Sequence, residues 1–171
     1  MPDHPTSPQL AGADPVHPCH ADALELLRTD LQEARALADE CRRLSRTAAP
    51  EPDIAEVERT AETLCHVLGM LSEIEEELFY PAARAVLPTS QVIDVAKLEH
   101  ATAKEIIRQM QLTDPCEARY EALLVALSDC VERHVQHEQS ELFPRVREAH
   151  LDLESLGERM SERQEELRAH H

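Results

Sequence analysis

Apolar residues recur at alternating steps of three and four along four long stretches of this chain, the spacing of one buried face of an α-helix. The first stripe runs Leu24, Leu27, Leu31, Ala34, Ala38, Cys41 and predicts a helix over about residues 20–46, with Asp30 and Glu33 facing away. Pro50 and Pro52 separate it from the next helix, since proline removes a backbone donor and clashes with the preceding turn. The second stripe, Val57, Ala61, Leu64, Leu68, Leu71, Glu75, Leu78, predicts a helix over 54–87, kinked or divided by Pro81. The third, Ile93, Ala96, His100, Ala103, Ile107, Met110, opens behind Thr89 or Ser90 as N-cap and closes at Thr113-Asp114-Pro115. The fourth, Leu123, Leu127, Cys130, His134, Glu138, Leu142, predicts a helix over 117–148. A thinner face, Leu156, Met160 and Leu167, marks a last helix from about residue 153, packed along the outside. Short connections make sequential helices antiparallel neighbours, so the expected fold is all-α: an up-down four-helix bundle with an added C-terminal helix over residues 20–171. Residues 1–19 hold five prolines and little apolar mass, and read as a disordered tail.

Three of the four main stripes carry polar residues where the core should be apolar: Glu75, then His100, then His134 with Glu138. The first stripe has only Leu31 at that height. A lone core histidine is usually a hydrogen-bonding residue, and a single His-x-x-x-Glu on a helix is often a surface pair. Four such groups converging from three helices need a joint explanation, because each is costly to bury. Two imidazoles and two carboxylates suit Fe, Mn or Zn. The plain alternative is a metal-free His–Glu hydrogen-bond network. A repeat supports the first reading: Leu71 to Pro81 (LSEIEEELFYP) and His134 to Pro144 (HVQHEQSELFP) are two versions of one motif. The acid recurs as Glu75 and Glu138, whereas the position four residues earlier is Leu71 in one copy and His134 in the other. Glu76 and Glu77 read as a solvated face, His66 and His137 as lying off the site, and His20 as too far along its helix to reach Leu31.

Composition narrows the function. Three glycines and 2% aromatic residues fit a helical bundle. A net charge of −17 argues against nucleic acid and anionic membranes as partners. No stretch approaches the ~20 apolar residues of a membrane span, and the N-terminus lacks the form of a signal peptide. Five cysteines, an odd number without scaffold spacing, suggest free thiols in a reducing, cytoplasmic setting. Cys41, Cys65, Cys116 and Cys130 are expected towards one end of the bundle, as packing residues or, on a sharper reading, as a thiol redox pair.

The segments LCHVLGMLSEIEEELFYPAARAV, EHATAKEIIRQM, HVQHEQSELFPRVREAH and LDLESLGERMSERQEEL together resemble the bacterial hemerythrin-like (HHE cation-binding) proteins, over roughly Leu24 to Leu167. The resemblance implies a four-helix bundle around a carboxylate-bridged non-haem di-iron site, in proteins that bind or sense oxygen or handle nitric oxide, peroxide or iron. Glu75, His100, His134 and Glu138 match the family's metal pattern. Leu31 and Leu71 stand where it has histidines on helices 1 and 2, and those two imidazoles serve one iron. The implied site is therefore degenerate, holding at most one non-haem iron, or Mn or Zn, per chain, or none. Its partners would be a metal ion and a small diatomic ligand. No motif for an organic substrate is visible, so an enzyme is the less favoured class. A metal-free regulatory protein and a thiol-based sensor on the same fold are the alternatives.

Overall fold

The computed structural model describes residues 22–45 and 53–169; the tail expected over residues 1–19, with Cys19 and His20, lies outside the described residues. The described elements are α1 (Ala23–Ser45), α2 (Ile54–Ile74), a π-helical turn π1 (Glu75–Phe79), α3 (Tyr80–Val86), α4 (Gln91–Met110), α5 (Ala118–His137), a second π-helical turn π2 (Glu138–Leu142), α6 (Phe143–Glu148) and α7 (Leu153–Ala169). Backbone angles stay helical through both π turns, so α2–π1–α3 is one rod and α5–π2–α6 another. Four rods form the antiparallel bundle and α7 is the added fifth, as the stripes predict.

Aspartates start three of the helices. The Asp53 carboxylate accepts from the Glu56 backbone N–H, Asp22 does the same for Glu25, and Asp152 for Ser155. Each satisfies one of the orphan donors of a first turn. The Asp22 cap explains why α1 begins at Ala23, three residues after the expected start. Ser90 takes the expected N-cap position of α4, but its hydroxyl makes no capping bond. His150, at φ 56°, turns the chain between α6 and α7; histidine is among the residues that enter this region more readily.

The α1 stripe is buried as read, from Leu24 to Cys41. The second rod departs from its pattern. Leu78, expected on the buried face, is only half-buried, whereas Phe79 and Tyr80 are fully buried. The cause is π1: the Tyr80 N–H bonds to the Glu75 carbonyl five residues back, and the Phe143 N–H likewise to that of Glu138. A proline follows each glutamate by six residues, Pro81 and Pro144. Its ring would meet the carbonyl four residues earlier in a regular α-helix, and it has no N–H to donate. One wider turn ahead of it accommodates the ring, so neither rod ends at its proline. The extra residue shifts the downstream register by one.

α1 packs against α2 and α5, α5 against α4, and α7 along α1, α2 and π1. Between α2 and α4 the bundle is open, leaving a groove of about 410 Å³.

Candidate metal centre

The two π turns set the site. Glu75 and Glu138 are the first residues of π1 and π2, and both project into the core with no exposed surface. His100 reaches them from mid-α4 and His134 from the last turn of α5, each buried to 6% exposure. Nε2 of His100 lies 2.9 Å from Glu75 Oε2, and Nε2 of His134 lies 3.6 Å from the same oxygen. The two Nε2 atoms are 3.3 Å apart. One donor atom from each of Glu75, His100 and His134 falls within a sphere where all lie within 4.8 Å of one another. Glu138 joins them, with Oε2 3.8 Å from His134 Nε2. The four residues singled out from the stripes are thus brought together.

A fifth group sits among them that the stripes miss. The Tyr80 hydroxyl is 2.9 Å from Glu138 Oε1, 3.2 Å from His100 Nε2 and 3.3 Å from Glu75 Oε2. Its single proton is best placed on the shorter Glu138 contact. In regular α-helical register Tyr80 would point elsewhere; π1 carries it inward. A signal for it was present in the repeat. Aligned on glutamate and proline, Tyr80 stands opposite Phe143, so one copy places a hydroxyl where the other has a plain ring. The two rods also meet through Phe79 and Phe143, packed edge to face with centroids 5.8 Å apart.

The charges are interlocked. Burial alone would raise the Glu75 carboxyl, but hydrogen bonds from His100 and His134 outweigh it and hold it well below the usual range. Burial raises the Glu138 carboxyl, and the nearby Glu75 charge adds to this, so Glu138 keeps a proton well above its ordinary range. Burial would lower His134, yet the carboxyl groups it faces, Glu138 and then Glu75 and Glu99 through hydrogen bonds, together raise it well above 6.5. Burial and the two carboxylates push the Tyr80 phenol upward. Two carboxylates cannot both ionise cheaply in this space without more positive charge.

Three expectations need correction. Glu76 is not merely a solvated residue: its Oε1 is 2.9 Å from His100 Nδ1 and 2.7 Å from Lys104 Nζ. His137 does not stand clear; its ring is largely buried, with Nδ1 3.3 Å from Glu99 Oε2. Glu99 also lies 3.1 Å from His134 Nδ1. Asp30 does not face away from the protein. It accepts a hydrogen bond from Gln164 of α7, and burial pushes its carboxyl up to about 6. Glu77 is exposed as expected but pairs with Arg163 of α7. His66 is exposed, in line with its position off the stripe.

The groove is lined by Leu71, Cys65, Cys130, Glu76, Glu99 and the outer edges of His100 and His134, among others, but not by Glu75, Tyr80 or Glu138. Access from solvent therefore meets the far side of the imidazoles rather than the carboxylates. Cys41, Cys65, Cys116 and Cys130 are free thiols. Burial pushes Cys41 and Cys65 up to about 11, so both are protonated and weakly nucleophilic at neutral pH.

The donor set fits a metal ion. Buried carboxylate oxygens are normally satisfied, yet Glu75 Oε1 and Glu138 Oε2 have no hydrogen-bond partner. Two nitrogen and two carboxylate donors, with a phenol alongside, match first-row transition metals. Among the described residues no other cluster of three ligating side chains forms such a group.

The profile of the hemerythrin HHE cation binding domain matches residues 22–146. Among solved structures, the chain is similar to a hemerythrin HHE cation binding domain-containing protein from Mycobacterium kansasii, an Rv2633c homolog. Their TM-score is 0.66 at 25% identity, covering 87% of this chain and 88% of the other. No curated protein matches the chain.

Proposed function

The chain belongs to the hemerythrin HHE cation-binding domain family, and from that membership together with the buried donor set we propose that it binds a first-row metal ion through Glu75, His100, His134 and Glu138, with iron first and manganese or zinc as the alternatives. The observation that carries this is the pair of partnerless carboxylate oxygens beside two imidazoles in a closed core. The Tyr80 oxygen would supply a further donor once its proton leaves. A redox-active ion there would supply the capacity to bind or sense oxygen, nitric oxide or peroxide. The groove supports a role with small ligands over one with an organic substrate, because the imidazole rings stand between it and the carboxylates.

Leu31 and Leu71 are buried apolar side chains, and with only two central imidazoles the site would hold one ion with nitrogen ligation. The partnerless Glu75 Oε1 and Glu138 Oε2 favour a second reading, in which another ion is held by oxygen donors alone. Metal content per chain of freshly purified protein, with its visible spectrum, separates the two. The expected result is one metal per chain in the parent, none in His100→Ala or His134→Ala, and one in His66→Ala. A parent that purifies without metal, and whose melting temperature ignores added ferrous iron, would leave the metal-free regulatory role instead.

A further inference from the structure

The two central imidazoles are each gripped from behind. Nδ1 of His100 lies 2.9 Å from Glu76 Oε1, and Nδ1 of His134 lies 3.1 Å from Glu99 Oε2. In both rings the opposite nitrogen, Nε2, faces Glu75. Glu76 is in turn held on its other side by Lys104 at 2.7 Å, and His137 Nδ1 stands 3.3 Å from Glu99 without forming a hydrogen bond. Two links result, Lys104–Glu76–His100 and Glu99–His134, reaching the centre from the groove side. Glu75 accepts from Nε2–H of both rings; an ion at the centre would take the place of that proton, and the carboxylate behind each ring, which can only accept, would keep the other proton on Nδ1 and leave the Nε2 lone pair for the ion. That carboxylate also fixes the ring plane and makes the imidazole a stronger donor.

We propose that Glu76 and Glu99 are positioning residues of the metal centre, locking His100 and His134 with Nδ1 protonated and Nε2 aimed at the ion. The proposal rests on the metal reading above. Neither residue touches the ion; each acts through the imidazole it grips. Their positions have a sequence logic. Glu76 follows the ligand Glu75 in the π turn, and Glu99 precedes the ligand His100 in α4, so one residue's rotation places each carboxylate just outside the donor sphere. Glu105, which pairs with Arg108 on the exposed face of the same helix, serves as the control.

The test is zinc titration of the full-length apo-protein, followed by competition with a chelator. Glu76→Ala and Glu99→Ala should each bind zinc about 10- to 100-fold more weakly than the parent. Glu76→Gln and Glu99→Gln, which keep an acceptor for Nδ1–H, should recover part of the loss. Glu105→Ala should bind as the parent does. In zinc-loaded parent protein, NMR should show slowly exchanging Nδ1 protons on His100 and His134, each lost in the matching alanine variant. Alanine variants that bind zinc as tightly as the parent would overturn the positioning role alone. So would variants whose apo melting temperature falls while affinity holds, since that is a structural effect. A parent that binds no zinc, ferrous iron or manganese would overturn the metal reading and the positioning role with it.

Discussion

Tyr80 is the residue with the most to lose in this core. Its hydroxyl contacts two carboxylates and an imidazole, and phenylalanine keeps the ring while removing all three contacts. Tyr80→Phe should leave the fold intact but weaken metal retention. If ferric ion is bound through the phenolate, the parent should show a visible charge-transfer band that the variant lacks. A variant with an unchanged spectrum would make the hydroxyl a hydrogen-bonding residue only. Asp30 offers a second test, in stability. Its folded-state carboxyl is pushed up to about 6 from an ordinary 3.8, so the folded protein holds this proton more tightly than the unfolded chain does. Stability from this group is therefore fully present below about pH 4 and is lost as pH rises through about 6. Discounting for the solvent that reaches it, the loss is about 1–2 kcal/mol. Asp30→Asn, which can still accept from Gln164, should raise urea-unfolding stability by that amount at pH 7 and flatten the profile between pH 4 and 6.

At the scale of elements, the two π turns are the device that builds the site. Each holds one residue more than a regular turn, and the residue after the widened turn is thereby carried onto the buried face. Phe143 and Tyr80 arrive this way. Deleting Leu78 together with Pro81→Ala should convert π1 to regular α-helix while keeping downstream faces in register. The variant should retain helical circular dichroism and cooperative melting. Deleting Met70, within unbroken α-helix, rotates all that follows by about 100° and should abolish cooperative unfolding. Equal damage from both deletions would show that the π turn is not a one-residue insertion.

The whole molecule couples the centre to the fold. The four ligand candidates come from three rods, π1, α4 and α5 with π2, so an ion held by all of them ties the bundle together. An ion that binds the folded state alone stabilises it by mass action, by about 2.7 kcal/mol at a hundred times Kd. For a chain of this size that corresponds to roughly 5–10 °C in melting temperature. Differential scanning calorimetry with and without added ferrous iron should show this rise in the parent and none in His100→Ala. The helix α7 adds stability of another kind. Leu156, Met160 and Leu167 are buried, Gln164 holds Asp30, and Arg163 bridges Glu73 and Glu77. It closes the outer face of α1 and α2 and leaves the α2–α4 groove open.

Read alone, the chain carries the architecture and the four buried polar residues of the candidate centre, because periodicity of 3.6 is a local property and a polar residue within an apolar stripe stands out against it. Leu24 through Cys41, Ile93 through His100 and Cys130 through Glu138 could all be placed on their buried faces before any packing was known. Membership in the HHE family was legible in the same segments. What lay beyond the sequence was every feature that depends on register after a defect or on contact between rods. Tyr80 reaches the centre only because π1 adds one residue, and no periodic template contains that step. Glu76, Glu99 and His137 look like surface positions on their own helices. They acquire neighbours only when α4 is laid beside π1 and α5, since contacts across rods are set by how helices pack and not by the order of residues within one. Asp30 likewise looks solvated until α7 covers it. Local spacing decides which face of a helix is buried; tertiary packing decides what that face, and its margins, will touch.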